Sequence, residues 1–405
     1  MAPHEPAQPS RRSAFALLGA ASVTAGSVTA GSVLASPAAA SAARAGRVPK
    51  ELLPGGEFDA YLARRAGQDQ FSGTVLLAHR GEPVLTRSYG MADASRSIRN
   101  GRDTVFGLAS LTKIFTAVAV GQLVEDDRLK LHETLGTHLG GFSEAAGRVT
   151  VHQLLTHTAG MGHYPSSPAF SEGVRRWAGA REMMDGVMAI IRDMEQQPDP
   201  EPGTRHRYSN SGYFVLGALV EAVSGQGFHD YVRRHVLAAA GMKRSGLFTR
   251  PQVLADRGIA HPYYTRKSGE RADFTTDENF GFVGGPAEGV YASAPDLLAF
   301  VQALRAGELM GEAFTELFTS GKVVLDPADP PVTAGQCRLY GYGFRNTVLN
   351  GRRILGHSGS GPGRSANLDI YPGLGWVAVI LSNYDIPVQP IVDKGRDLIT
   401  RLATG

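Results

Sequence analysis

The amino-acid sequence predicts an α+β fold: an antiparallel sheet built from both chain ends, flanking helices, and a mainly helical lobe over roughly residues 125–290. Three observations lead there. Strand-like runs begin just after residue 70, further strand-like runs fill the C-terminal end, and the stretch between them turns to helical periodicity. Strands isolated at the two ends have only each other as partners, and an unpaired edge is a liability, so the ends are expected to meet in one sheet.

Each element has its own signal. Phe71–His79 and Pro83–Tyr89 flank the glycine-bearing turn Arg80-Gly81-Glu82 and predict a hairpin. Leu111, Ile114, Phe115 and Val118 share one face of a helix that Ser110 opens, and helical runs follow near 151–156, 181–195, 211–224 and 294–305. Tyr342–Leu349, Arg352–Gly356, Ala366–Tyr371 and Trp376–Ser382, divided by Asn350-Gly351 and Pro372-Gly373, predict a meander. A long helix after Ile386 is expected to cover one face of the sheet.

With 405 residues, 42% of them hydrophobic and 20% charged, the chain reads as globular and longer than one core usually supports, hence one domain over 44–405 carrying a second lobe. Residues 1–43 read as an export signal. Arg11-Arg12 precede a weakly apolar stretch from Ala14 to Leu34 rich in Ala, Gly, Ser and Thr, and Ala-Ser-Ala at 40–42 offers a small-residue cleavage site. The arginine pair resembles a twin-arginine signal, with Phe15 one place later than usual, and so much Gly, Ser and Thr makes a poor spanning helix. The expectation is a secreted or extracytoplasmic protein without stable membrane insertion after processing. Removing Arg11, Arg12 and Glu5 lowers the net charge from +3 to +2, which carries no field for nucleic acid. Cys337, the only cysteine, excludes an internal disulfide and reads as a packing residue.

Three short motifs carry chemistry. In Ser110-Leu111-Thr112-Lys113 a spacing of three sets a hydroxyl and an amine one turn apart on one face, which suits a nucleophile beside its base; taken alone it also fits a helix-capping serine and a solvated lysine. Tyr208-Ser209-Asn210, after the turn at Pro202-Gly203, offers a phenol to move a proton and an amide to hold a carbonyl or order the lysine; alone it also fits a helix cap beside a core tyrosine. His357-Ser358-Gly359, followed by Ser360, sits at a strand end where backbone amides can bind substrate, but the same pattern recurs at His79-Arg80-Gly81 and His138-Leu139-Gly140.

Taken together and in order, these motifs resemble those of the serine β-lactamase-related family: class C β-lactamases, D,D-carboxypeptidases, D-aminopeptidases and esterases. Phe71–Val75, Leu154–Gly160, Tyr208–Tyr213 and the stretch from Gly284 to Asp296 also resemble family signatures, so the likeness spans roughly residues 55 to 400. It implies Ser110 as the acylated nucleophile, Lys113 and Tyr208 as the acid/base system, and Asn210, His357, Ser358, Gly359 and Ser360 as substrate-binding residues. The backbone N–H groups of Ser110 and Ser360 would form an oxyanion hole, and His157 would be structural. One departure bears on substrate. Family β-lactamases carry Lys-Thr-Gly where this chain has His-Ser-Gly, and a histidine with a pKa near ~6.5 is mostly neutral at pH 7, so a substrate carboxylate loses its fixed cation. Arg364 is placed to replace that charge or to be a solvated surface arginine.

A Gly-x-Ser-x-Gly elbow, a phosphate-binding loop and a His-Glu-x-x-His helix are all missing from the sequence. His152, His157 and His163 fall on different faces of any helix, so neither metal nor cofactor is expected. The expected partner is a small-molecule or peptide substrate, a D-amino-acid peptide or carboxylic ester. The alternatives are a true class C-type β-lactamase, or a non-catalytic protein that binds penicillin or peptidoglycan peptides.

Overall fold

The two strand-rich ends of the chain meet in one eight-stranded antiparallel sheet. A computed structural model describes residues 48–195, 202–325 and 336–402, so the expected export signal and its cleavage site lie outside the described residues. The strands are β1 (Gly73–His79), β2 (Glu82–Tyr89), β3 (Val323–Val324), β4 (Cys337–Tyr340), β5 (Arg345–Leu349), β6 (Arg352–Gly361), β7 (Arg364–Tyr371) and β8 (Trp376–Ser382). Their order is β2-β1-β8-β7-β6-β5-β4-β3. The hairpin and the meander therefore join through β1 and β8, in a register that runs from Gly73 opposite Ser382 to His79 opposite Trp376. Strand β6 is longer than its sequence signal, because Ser358, Gly359 and Ser360 continue the ladder opposite Asn367, Ala366 and Ser365.

Every residue of β1 and β8 is buried, so both faces of the sheet centre are covered. Successive side chains point to opposite faces. Val75, Leu77, Ala378 and Ile380 join one core with Phe58 and Leu62 of α1 (Glu57–Gly67). Leu76, Val377, Val379 and Leu381 face the other core. Each of the larger apolar side chains contributes roughly 1.5–3 kcal/mol by leaving water. Helix α1 has no counterpart in the sequence reading, for its eleven residues include four charged ones that hide the Phe58–Leu62 stripe.

On the second face lie α2 (Lys113–Glu125), α3 (Val151–Leu155), α4 (Ala180–Met194), α5 (Asn210–Ser224) and α6 (Ala294–Arg305). Helices α2 and α5 are apolar nearly all round, the composition of a helix enclosed by its neighbours, and they pack on each other. Amphipathic α4 instead buries Met183, Met184, Val187, Met188 and Ile191 at helical spacing. On the opposite face α7 (Gln389–Leu402) covers the sheet with Ile391, Val392, Leu398 and Ile399, as the sequence predicts after Ile386. Arg396 of α7 clamps Asp369 of β7 through two 2.7 Å hydrogen bonds.

Two expectations need correction. Ser110 does not open the α-helix: it lies in a 3-10 turn, Ala109–Thr112, and the α-helix starts at Lys113. Cys337 is exposed at the start of β4 rather than packed. Among the described residues no helix is long and apolar enough to cross a membrane.

Candidate active site

Ser110 is presented by a turn held on three sides. A short ladder of Val105–Gly107 with Tyr291–Ser293 leads into it, and Leu108 N–H donates to the Val290 carbonyl at 2.9 Å. Ala109 then adopts φ 46°, a left-handed conformation that a non-glycine residue occupies at a cost of about 1–3 kcal/mol. The 3-10 turn nonetheless keeps the hydroxyl and amine together, because positions three apart eclipse in that geometry. The third support is β6. A Cβ on Gly359 would lie 2.1 Å from the Leu108 carbonyl oxygen and 2.9 Å from the Ser110 nitrogen, so only glycine lets the strand backbone touch the turn.

Lys113 is fully buried, and its amine meets three acceptors. Nζ lies 3.2 Å from Ser110 Oγ, 2.7 Å from Asn210 Oδ1 and 2.9 Å from the Ala287 carbonyl. Asn210 is the first residue of α5, whose N-terminus is fixed by the Ser209 hydroxyl accepting from Gly212 N–H at 3.1 Å. Ala287 is held by its neighbours: Thr116 donates to the Pro286 carbonyl at 2.7 Å and Val290 N–H donates to Thr112 Oγ1 at 3.0 Å. An amine that takes up the serine proton carries three N–H bonds, and two fixed acceptors besides the serine oxygen await them. The ring of Tyr208, rather than its hydroxyl, meets this amine, with the centroid 4.8 Å from Nζ. The Tyr208 hydroxyl makes no hydrogen bond to another described residue, and the side chain lines a pocket with Ser110, Ser358, Gly359 and Ser360.

His357 departs from its expected place. Its side chain is buried and lines no part of the Ser110 pocket. Alternation along β6 explains this: Ser358 and Ser360 are partly or fully open while His357 and Gly359 are buried. The imidazole belongs to a polar relay behind the site. Ser209 N–H donates to His157 Nδ1 at 3.2 Å, so His157 carries its proton on Nε2 and donates to the Tyr340 hydroxyl, also at 3.2 Å. Tyr340 in turn donates to His357 Nε2 at 3.1 Å, and His357 Nδ1–H donates to the Ser358 carbonyl. These tautomers are assigned from the network. Burial drives both imidazoles well below the usual histidine range, with Lys113 adding to the effect on each. Burial also drives the Tyr340 phenol well above its usual range. The relay is thus neutral and satisfied, and the His157 ring packs 4.4 Å from the Tyr208 ring.

Three contributors escape sequence reasoning. The Ala287 carbonyl is backbone and has no residue-type signal. Tyr340 lies in an aromatic-glycine run, Tyr340-Gly341-Tyr342-Gly343-Phe344, readable only as strand and turn. Arg345 lines the Ser110 pocket from β5 and carries no motif. Arg364 is neither a solvated arginine nor a cation of the Ser110 pocket: it is half-buried in a separate aromatic cleft, and its Nε has no hydrogen-bond partner among the described residues. The three histidines of the 152–163 stretch are dispersed. His152 hydrogen-bonds Tyr342 at 2.8 Å, His157 joins the relay, and His163 caps a 3-10 turn through its carbonyl.

Comparison with known proteins places these features in context. The family model described as Beta-lactamase matches residues 58–400. The putative penicillin-binding protein PbpX of Bacillus subtilis is 28% identical over 254 residues, which span 62% of this chain and 59% of that protein. Penicillin-binding protein 4* of the same organism is 26% identical over 366 residues, 82% of this chain and 78% of the relative. The crystal structure of a penicillin binding protein from Bacillus halodurans superposes with a TM-score of 0.70 at 27% identity, covering 83% of this chain and 98% of that one.

Proposed function

Because this chain belongs to the Beta-lactamase family, we propose that it is a serine hydrolase that forms an acyl-enzyme on Ser110. The observation that carries the reading is the buried amine of Lys113, 3.2 Å from Ser110 Oγ and anchored by Asn210 and Ala287. Ser110 Oγ attacks a carbonyl as its proton passes to Lys113 Nζ. The developing oxyanion is received by the backbone N–H groups of Ser110 and Ser360, a contribution whose loss typically lowers turnover about 10²–10³-fold. Tyr208, which lines the pocket, hands its hydroxyl proton to the departing amine or alcohol. A water then attacks the acyl-serine as its proton passes to the Tyr208 phenolate, and Lys113 returns its proton to Ser110 Oγ as the acyl group leaves, so that all three groups regain their starting state.

The substrate is a small ester or amide, a carboxylic ester or D-amino-acid peptide. A buried neutral His357 supplies no cation to a substrate carboxylate, which favours esters over β-lactams. A second reading, β-lactam hydrolysis, has one observation in its favour: Arg345 lines the Ser110 pocket and brings a permanent charge there. The Arg11-Arg12 segment supports an extracytoplasmic location.

Purified wild type and Ser110→Ala are to be incubated with a fluorescent fluorophosphonate and a fluorescent penicillin. Labelling of wild type alone is the expected result. Equal labelling of both proteins, or no labelling with any probe, returns the protein to the class of non-catalytic ligand binders. Rates on a short-chain nitrophenyl ester, a D-amino-acid anilide, a D-Ala-D-Ala peptide and a chromogenic cephalosporin then rank the substrates. Ester cleavage is expected to exceed cephalosporin cleavage, and the reverse order selects the second reading.

A further inference from the structure

Beside the Ser110 pocket lies a second cleft of about 240 Å³ with walls of Tyr164, Phe170, Trp177, Phe248, Phe280 and Tyr291. A dry cavity of roughly 150 Å³ already admits benzene, so a six-membered ring and a linker fit here. The cleft starts within a few residues of the chemistry. Ala287, whose carbonyl accepts from Lys113, is followed directly by Glu288, which lines the cleft and accepts from the Tyr164 hydroxyl at 3.3 Å. Gly107, three residues before Ser110, is packed so closely that its Cβ would meet Arg364 Cδ at 2.7 Å and the Tyr291 ring at 3.3 Å. Past Ser360, Pro362 and Arg364 complete the wall.

Ser110 lines the polar pocket, and the aromatic cleft approaches the same turn through Gly107 and Glu288. Tyr208, the donor to the leaving group, lines the polar pocket with Ser358 and Gln389 and takes no part in the aromatic cleft. The leaving group therefore occupies the polar side, and the acyl substituent points the other way. We propose that the aromatic cleft is the acyl-binding subsite of this enzyme and selects esters or amides whose acyl group carries an aromatic ring. The assignment of sides rests on the role given above to Tyr208. Rings held edge-to-face around a ring-sized space favour an aromatic guest over an equally large flexible chain.

The test compares p-nitrophenyl acetate with p-nitrophenyl phenylacetate, which share a leaving group and differ only in the acyl part. Wild type is expected to show kcat/KM at least about tenfold higher for the phenylacetyl ester, the scale on which apolar pockets discriminate. Gly281 lines the cleft and a Cβ there would lie 3.4 Å from Val174 Cγ1, so Gly281→Leu fills the space from outside the catalytic machinery. Val174→Phe fills it from the facing wall and serves if the first variant fails to fold. Either filled variant should lose the preference and keep the acetyl rate. A flat wild-type ratio, or a ratio unmoved by a folded filled variant, overturns the subsite. Binding is read separately: phenylacetamide titrated into Ser110→Ala should change Trp177 fluorescence saturably, acetamide should not, and Gly281→Leu should abolish the response. Saturable binding without hydrolysis of either ester by wild type would keep the cleft and reject the hydrolase; hydrolysis without discrimination or binding would do the opposite.

Discussion

Lys113 presents an amine with no exposure to water, and its surroundings determine what each substitution does. Lys113→Met keeps the stem volume and removes the amine, so turnover should fall roughly 10⁴-fold or more with modest loss of stability, as for other members of a catalytic unit. Asn210→Leu removes the 2.7 Å acceptor and leaves buried N–H unsatisfied, which should lower stability by about 1–3 kcal/mol in urea titration as well as slow the reaction. The relay behind the site predicts a pH dependence. His157 and His357 are neutral when folded, while each takes up a proton near ~6.5 once unfolded. Below that pH the unfolded state therefore binds more protons. Stability is fully present above about pH 6.5 and declines as pH falls, by about 1.4 kcal/mol per pH unit for each ring. Urea midpoints measured at pH 7.5 and 5.5 should show this decline, and Tyr340→Phe, which strands His357 Nε2, should lower stability at both values.

At the scale of elements, the contact between β6 and the Ser110 turn is the critical join. Gly359→Ala forces a Cβ against the Leu108 carbonyl, and relief requires the strand or the turn to move. Since both oxyanion donors ride on these two elements, kcat should drop at least about a hundredfold, a loss larger than the change in thermal midpoint would suggest. The same join marks how far sequence reasoning reaches. Period-two runs made the hairpin and the meander legible, and glycine turns set their limits within a few residues. The motif Ser110-x-x-Lys113 was legible as a spacing, but α-helical and 3-10 turns both place i and i+3 on one face, so the local geometry was not. His-x-Gly was legible as a strand edge. Which side of β6 the imidazole takes depends on strand register, and register was set by pairing with β5 and β7 rather than by the tripeptide itself. Ala287, Tyr340 and Arg345 reach the site only through tertiary packing and left no local trace.

For the whole molecule, the ion pair of Arg396 with Asp369 joins the last helix to the sheet. The Asp369 side chain is only 3% exposed, so Arg396→Ala leaves a buried carboxylate uncompensated and should destabilise by about 3–5 kcal/mol, read from denaturant unfolding. Deleting residues 389–405 strips the apolar cover from Val75, Leu77, Ala378 and Ile380 and should yield a chain without a cooperative unfolding transition. The pairing of β1 with β8 has a consequence for biosynthesis. Gly73 leaves the ribosome some three hundred residues before its partner Ser382. At roughly 5–20 residues per second that interval lasts about fifteen seconds to a minute. Throughout it the nascent hairpin presents a strand that the folded protein buries along its whole length, with open amides and carbonyls, a template for stray association. The cell that makes this protein has to shelter that edge until the final strand arrives.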